Sequence, residues 1–538
     1  MTVNRSASSF TTAFMLLVFA LGLVGGLVGA TPLAAQVTAF RQAVAEDASQ
    51  NETLSAFYRA RAFEPIWTSG QDYSRRNAFL QALEEAGNHG LPTERYEAEV
   101  LRQAFRDADT PRAQGQVEVM ASAMFLQYAR DVQSGMLDPN EVISDIVQDL
   151  PRRDPLAQIE AFAQSSPRAY LRSLPPEHPE YIRLMREKLR LERILGGGGW
   201  GIEVVARQLE PGDQGPDVVV MRNRLMTMGY LNRSASAAYD GPMQQAVQQF
   251  QEGHGLNADG VAGPATMAEI NVSPEIRLGQ ILVAMERQRW MNKPRGDRHI
   301  LVNIADFRGY VIDNEEITFE TRVVVGATAS DRRTPEFSDE MTHMVINPTW
   351  NVPRSIATNE YLPQMQSDPA AAGHLRLYDS RGRVVNRENI DFTQYTARNF
   401  PFNMRQPPSN SNALGLVKFM FPNQWNIYLH DTPSRSLFSR DVRAFSHGCV
   451  RVHRPFELAY HLLAPQEANP EAYFQRLLAT GQETQVNLDT PIPVHLVYWT
   501  AWVTPEGRAN FRPDIYGRDQ ALWRAMVDAG VDIRSIGS

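Results

Sequence analysis

The segment RAFSHGCVRVHRP, residues 443–455, holds Cys449, the single cysteine of this 538-residue chain. His447 lies just before it, His453 just after, and His430 further upstream in NIYLHDTP. A thiol attacks as its thiolate, and a neighbouring imidazole or cation populates that form. Histidine titrates in the right range to serve. Attack on an acyl carbon also needs N–H donors aimed at the developing oxyanion. The Gly448-Cys449 turn offers two candidates, the N–H groups of both residues, and glycine reaches backbone conformations that other residues resist. Two other readings stay open at this level. A lone cysteine is often a small buried hydrophobe. His430, His447, Cys449 and His453 also offer ligands to zinc, although H-x-C-x3-H has neither the paired cysteines of structural zinc sites nor the HExxH of zinc hydrolases.

Such a site needs elements to hold it. From about residue 298 the sequence turns β-rich, in HILVNIADFRGYVI, ITFETRVVVGA and MTHMVINPTWNVP, each a short apolar run between turns. NIYLHDTP reads as a strand ending at His430. Tyr428, two residues earlier, then shares its face and is a candidate pocket wall, as is Trp425. For both rings core packing is the competing role. Lys418, Arg354, Asn347 and Trp350 are weaker candidates for the cleft. A long polar segment, about 354–406, interrupts the strands, and insertions of that length commonly act as lids or binding loops. QVNLDTPIPVHLVYWTAWVTPEGRANFRPDIYG reads as a hairpin around Pro505-Glu506-Gly507, so 486–538 is expected to be a hairpin and helix extension beyond a domain at 298–485.

The remainder of the chain is too long for one core. Residues 36–205 carry helical periodicity with Gly and Pro stops, as in RRNAFLQALEEAGNHGLP and VEVMASAMFLQYARDVQSGMLDP. LGGGGWG, 195–201, reads as a break. Residues 209–272 read as a small three-helix unit, with Asp240-Gly241 and Asp259-Gly260 turns each feeding a helix. Residues 1–35 open with MTVNRSASSF, which carries one basic residue, Arg5, and no acid, and then run apolar from Ala13 to Ala30, the order of a secretory signal. The run nearly reaches bilayer length, so an uncleaved inner-membrane anchor is the alternative. Either way the rest is expected outside the cytoplasm. A formal charge of −8 gives no electrostatic reason to bind nucleic acid.

The unit DVVVMRNRLMTMGYL…YDGPMQQAVQQFQEGHGLNADGVAGPATM resembles the peptidoglycan-binding domain of many cell-wall enzymes. HDTPSRSLFSRDVRAFSHGCVRV resembles the signature of L,D-transpeptidases with a YkuD-type catalytic domain: a histidine, a short spacer, then S/T-H-G-C with an arginine or asparagine following. His430, Ser446, His447, Gly448, Cys449 and Arg451 fall on that pattern. INPTWNVPRSI, QPPSNSNALGLVKFMFPN and FYRARAFEPIW…HGLP resemble the large Gram-negative members. The resemblance implies a multidomain α+β chain: a helical scaffold domain, a three-helix peptidoglycan-binding-like domain, and a mainly β catalytic domain with a capping insertion. It implies a periplasmic enzyme that joins donor and acceptor peptidoglycan stem peptides by 3→3 cross-links through a Cys449 thioester, without a cofactor. His430 would move the protons, His447 would orient the loop, and Ser446, Arg451, Tyr428 and Trp425 would face substrate. Other cell-wall synthesis proteins are conceivable partners. The same site could instead pass the acyl group to water, as an L,D-carboxypeptidase or cross-link hydrolase, or to a lipoprotein lysine. From another class, the chain could be a non-catalytic wall-binding scaffold.

Overall fold

The computed structural model of the chain describes residues 32–533. The apolar segment 13–30, and with it the export and anchoring expectation, lies outside them. Among the described residues no helix is long and apolar enough to cross a membrane.

The helical domain follows from its caps and stops. Thr110 accepts the N–H of Ala113, Pro111 opens a helix Pro111–Ser134, and Gly135 ends it at φ 93°, where only glycine is relaxed. Its apolar face meets Trp67, Phe79 and Phe162 in one aromatic cluster; the Phe125 and Phe162 rings stack at 4.2 Å. Glu118 is fully buried there but accepts the backbone N–H groups of Ile66, Trp67 and Thr68, which satisfies the carboxylate. The helix Pro274–Trp290 and the residues Ala501, Val503, Phe511, Leu522 and Met526 complete the same core. The end of the described chain thus returns to its beginning.

The second unit contains helices Pro216–Met228, Gly241–Gly253 and Pro264–Ile270 around Met221, Leu225, Val247 and Phe250. Asp240 caps the middle helix by accepting the N–H of Met243, as the Asp-Gly reading predicts.

The third unit is a closed β structure. Its strands are β1 (Arg298–Asn303), β2 (Arg308–Asp313), β3 (Glu316–Gly326) and β4 (Phe337–Ile346). An insertion follows, containing β5 (Trp350–Asn351), β6 (Arg376–Tyr378), β7 (Val384–Val385) and β8 (Asn403–Gln406). The main sheet then resumes with β9 (Val417–Met420), β10 (Leu429–His430), β11 (Ala444–Ser446), β12 (Val450–Val452) and β13 (Thr484–Val497). The order is β11-β3-β12-β10-β9-β4-β13-β1-β2, and β2 pairs with β3 to close the ring, leaving few free edges. Alternate residues point inward, among them Met344, Phe419, Leu429, Val450 and Val494.

The boundary expected at 485 falls inside β13. That strand runs parallel to β1 and antiparallel to β4, so it belongs to the barrel. Its apolar alternation merges in sequence with the following hairpin, β14 (Ala501–Val503) and β15 (Ala509–Phe511), which is why the two read as one element. The insertion is also broader than 354–406. Its four strands, order β5-β8-β6-β7, and its own core of Trp350, Leu362, Met365, Phe392, Phe400 and Leu414 reach from 350 to 414.

Candidate active site

Three short strands at the barrel's middle carry the chemistry. β10 lies between β9 and β12, antiparallel to the first and parallel to the second. In register, His430 faces Lys418 on one side and Arg451 on the other. Residues in register share a face, and side chains alternate along a strand. Leu429, Val450 and Phe419 turn into the barrel core. Lys418, His430 and Arg451 therefore form a row on the opposite, outer face. One step along that face, Tyr428 and Cys449 form a second row, with Val450 N–H donating to the Tyr428 carbonyl at 3.1 Å. The insertion's core packs against Tyr428 and covers this face.

The thiol of Cys449 donates to the Asn426 carbonyl at 3.5 Å. Asn426 sits at φ 53° in a loop tied by Asn423, whose side chain bonds the backbone of Phe421, Trp425 and Ile427. Burial pushes the thiol up to about 11; bonds from Tyr428 and the charges of Arg451 and Lys418 oppose that rise. His430 is buried, and its Nδ1–H donates to the Asp431 carbonyl at 2.5 Å. That bond fixes the tautomer that leaves Nε2 as a base. Burial, then the Arg451 charge, brings the imidazole down to about 3. At neutral pH the resting site thus holds a thiol and a neutral imidazole, with the Tyr428 and His430 rings edge to face at 5.7 Å. His430 and Cys449 are diagonal neighbours on the sheet, and no hydrogen bond joins them at rest.

The nucleophile turn is braced from three directions. Gly448 adopts φ 109°, and a Cβ there would lie 2.9 Å from Ile427 Cδ1. The Ser446 hydroxyl accepts the Gly448 N–H at 3.1 Å and donates to the Cys449 carbonyl at 2.5 Å. Ser446 is buried, so it ties the turn and does not face the cleft. The Gly448 N–H is thereby engaged, because the hydroxyl two residues earlier reaches it first. The Cys449 N–H donates to no acceptor in the described protein and remains the oxyanion candidate. From below, the buried Thr334 hydroxyl donates to the Gly448 carbonyl at 2.7 Å and accepts the Gly326 N–H at 2.9 Å. The Thr334 carbonyl in turn accepts from Arg518 at 2.8 Å. Arg518 and Arg287 share Glu336, and Arg287 also pairs with Asp519. Helical domain, barrel and C-terminal helix Arg518–Asp528 therefore meet directly under the turn.

From above, Glu360 of the insertion accepts from His447 Nε2 at 2.5 Å and from Arg332 at 3.0 Å. It sits on a short π-helical stretch, Ala357–Tyr361, a distortion frequent at functional sites. His447 thus links the turn to the insertion.

The structure brings together Cys449, His430, Tyr428, Arg451 and Lys418 on one face. It does not bring Trp425, which packs on Phe337 at 4.7 Å against the barrel core, or His453, which packs on Phe438 at 4.8 Å. Among the described residues no three histidine, cysteine or carboxylate side chains converge as a metal site. Asn347, at φ 52°, donates to the carbonyls of Leu478 and Gln482, and Arg354 binds carbonyls 397–400 within the insertion. Both are structural ties. Thr334 and Glu360 were not indicated by sequence reasoning; each lies more than eighty residues from the turn, and neither sits in a patterned motif.

Residues 297–494 match the L,D-transpeptidase catalytic domain family, 52–187 a scaffold domain family, and 214–270 a peptidoglycan-binding domain family described as provisional. A Haemophilus influenzae protein provisionally named L,D-transpeptidase is 37% identical over 262 residues, 48% of this chain and 52% of that one. The chain thus matches about half the length of this curated relative. Two crystal structures of L,D-transpeptidases were also matched. The one from Xylanimonas cellulosilytica is 16% identical, with 55% of this chain and 98% of that one covered and a TM-score of 0.16. The one from Stackebrandtia nassauensis is 13% identical, with 54% and 94% covered and a TM-score of 0.21.

Proposed function

We propose that the L,D-transpeptidase catalytic domain of this chain forms 3→3 cross-links between peptidoglycan stem peptides outside the cytoplasm, through a thioester on Cys449. The observation that carries this reading is the shared outer face of β10 and β12, where the single thiol, a neutral imidazole and a free backbone N–H meet beneath the insertion.

In the acylation step, Sγ bonds to the carbonyl carbon of the donor's third residue at its L-centre. The thiol proton passes to His430 Nε2, and the carbonyl oxygen accepts the Cys449 N–H. Collapse breaks the C–N bond to the terminal D-alanine, whose amine takes the proton from His430. The acceptor amine then attacks the thioester and gives its proton to His430, the new amide forms, and the proton returns to sulfur. General acid–base help of this kind contributes roughly 10²–10⁴-fold. The resting thiol near 11 and imidazole near 3 mean that the two form no ion pair before the donor binds. Proton transfer belongs to the substrate complex, where the attacked carbonyl draws the sulfur forward. Hydrolysis would use the same site with water as acceptor. The peptidoglycan-binding-type unit supports a wall substrate and leaves a binding-only role as the rival.

Incubation with purified tetrapeptide muropeptides separates these readings. Dimers with 3→3 linkage are expected. Tripeptide alone would make the protein a carboxypeptidase, and unchanged tetrapeptide would favour the binding-only role.

A further inference from the structure

The row that contains His430 is unusually charged for a half-covered surface. Across the strands it runs Val345, Lys418, His430, Arg451, Val324. Both outer neighbours are buried and apolar. The side chains of Lys418 and Arg451 form no salt bridge and no hydrogen bond with any described residue; the Lys418 ammonium lies 5.9 Å from the Tyr428 ring centroid, and Arg451 Nε is buried without a partner. The carboxylate with most influence on Lys418, Glu483, accepts the N–H of Thr349. Among the described residues the buried guanidinium groups of Arg287, Arg289 and Arg518 each hold a carboxylate, although the Nε atoms of Arg289 and Arg518 are likewise without a partner. Two partly buried cations left without a counter-ion are costly unless a ligand supplies one. Burial already loosens the hold of both on their protons.

We infer that Lys418 and Arg451 form a two-cation clamp for a carboxylate of the donor peptide, and that Lys418 is a specificity-determining residue of the site. This rests on the L,D-transpeptidase reading and deepens it. Lys418 and Arg451 stand two strand spacings apart, about 10 Å at the backbone, a gap that their long side chains can close around one anion. The clamp row lies two residues along the strands from Cys449, about 6.6 Å. A carboxylate held there is therefore offset from the scissile carbonyl by more than one bond length in any direction. The donor's two carboxylates nearest the scissile carbonyl are that of the leaving D-residue and that at the second centre of its diamino acid. Arg451 suits a bidentate contact and Lys418 a point charge. The bound carboxylate would also offset the two positive charges that flank His430, so the base would strengthen only when the correct donor is seated.

The test is binding to full-length protein carrying Cys449→Ala, which needs no turnover. Three probes are compared by calorimetry: the tetrapeptide, its C-terminal amide, and the tetrapeptide amidated at the second centre of the diamino acid. The expected result is at least a tenfold loss of affinity for one of the amides, which identifies the clamped carboxylate. Lys418→Gln in the same background should lose a similar factor for the acid and discriminate no further against that amide. Equal affinity for all three peptides would overturn the clamp. So would a Lys418→Gln loss that is the same for acid and amides, because that pattern marks a structural lysine. The wild-type product analysis is scored separately. Discrimination without any thioester or 3→3 product would leave the clamp standing and refute the transferase reading.

Discussion

The two faces of β9, β10 and β12 have opposite characters although they are built from alternating residues of the same ten-odd positions. Inward, Val417, Phe419, Leu429, Val450 and Val452 are almost completely buried against aliphatic and aromatic neighbours. Outward, Lys418, Tyr428, His430, Cys449 and Arg451 leave two charges unpaired, a base without its proton and a thiol without its thiolate. The strand's twofold period lets the inner face carry the stability while the outer face stays poised for a ligand. The inner face therefore answers to stability measurements and the outer face to kinetic ones.

The comparison breaks first at its strongest contrast. His430→Ala should lower the rate of acyl transfer by roughly 10²–10⁴-fold, with the unfolding midpoint little changed. A large loss of stability with it would mean that the outer face holds the fold. Phe419→Ala, one residue from Lys418 but pointing inward, should cost about 3–5 kcal/mol in denaturant unfolding. A cost near zero would mean that the barrel interior is not where the register places it.

Acid sharpens the comparison because His430 on the outer face is held neutral, as are buried histidines elsewhere in the chain. Burial brings His89 and His495 down to about 4 and His430 to about 3. Between the ordinary histidine value near 6.5 and these native values, the unfolded chain binds protons that the folded chain refuses. Stability is therefore complete above about pH 6.5 and falls as the pH drops toward 4, by about 1.4 kcal/mol for each unit of displacement. His430→Gln should flatten part of that slope in a pH series of urea melts. An unchanged slope would show that His430 titrates normally.

The buttresses come next. Thr334→Val removes a buried hydroxyl and strands the Gly448 carbonyl and the Gly326 N–H. A loss of about 1–3 kcal/mol is expected, with roughly tenfold slower acylation through a loosened turn. Thr334→Ser, which restores the hydroxyl, should recover most of both; failure to recover would assign the effect to the methyl group. The smallest effect is expected from Glu360→Gln, which keeps the shape but weakens the tie from the insertion to His447. Acylation should slow severalfold without a stability change; no change in acylation would detach the insertion from the turn's chemistry.

Much of this site is legible in sequence because it is local. Cys449, Gly448 and His447 are consecutive, and His430 and Tyr428 follow from strand alternation. Helix limits were equally readable where Pro and Gly mark them, as at Pro216, Gly229 and Gly135. What was hidden depends on contacts between distant segments. Thr334 and Glu360 reach the turn only after the barrel closes and the insertion folds over it. Ser446 looks like a cleft residue by position, yet its short hydroxyl is captured by the turn's own backbone. β13 resembles the first arm of a terminal hairpin until β1 and β4 claim both its edges. The lack of a counter-ion at Lys418 and Arg451 is likewise a property of the folded row, since Asp431, next to His430 in sequence, pairs with Arg435 instead.

The most direct measurement is the intact mass of the protein during incubation with tetrapeptide donor, followed by localisation on the peptide that contains residue 449. The account predicts an added mass equal to the donor less its terminal D-alanine, carried by Cys449 and absent from Cys449→Ala. An adduct on another residue, or turnover of the donor that persists in Cys449→Ala, would contradict it.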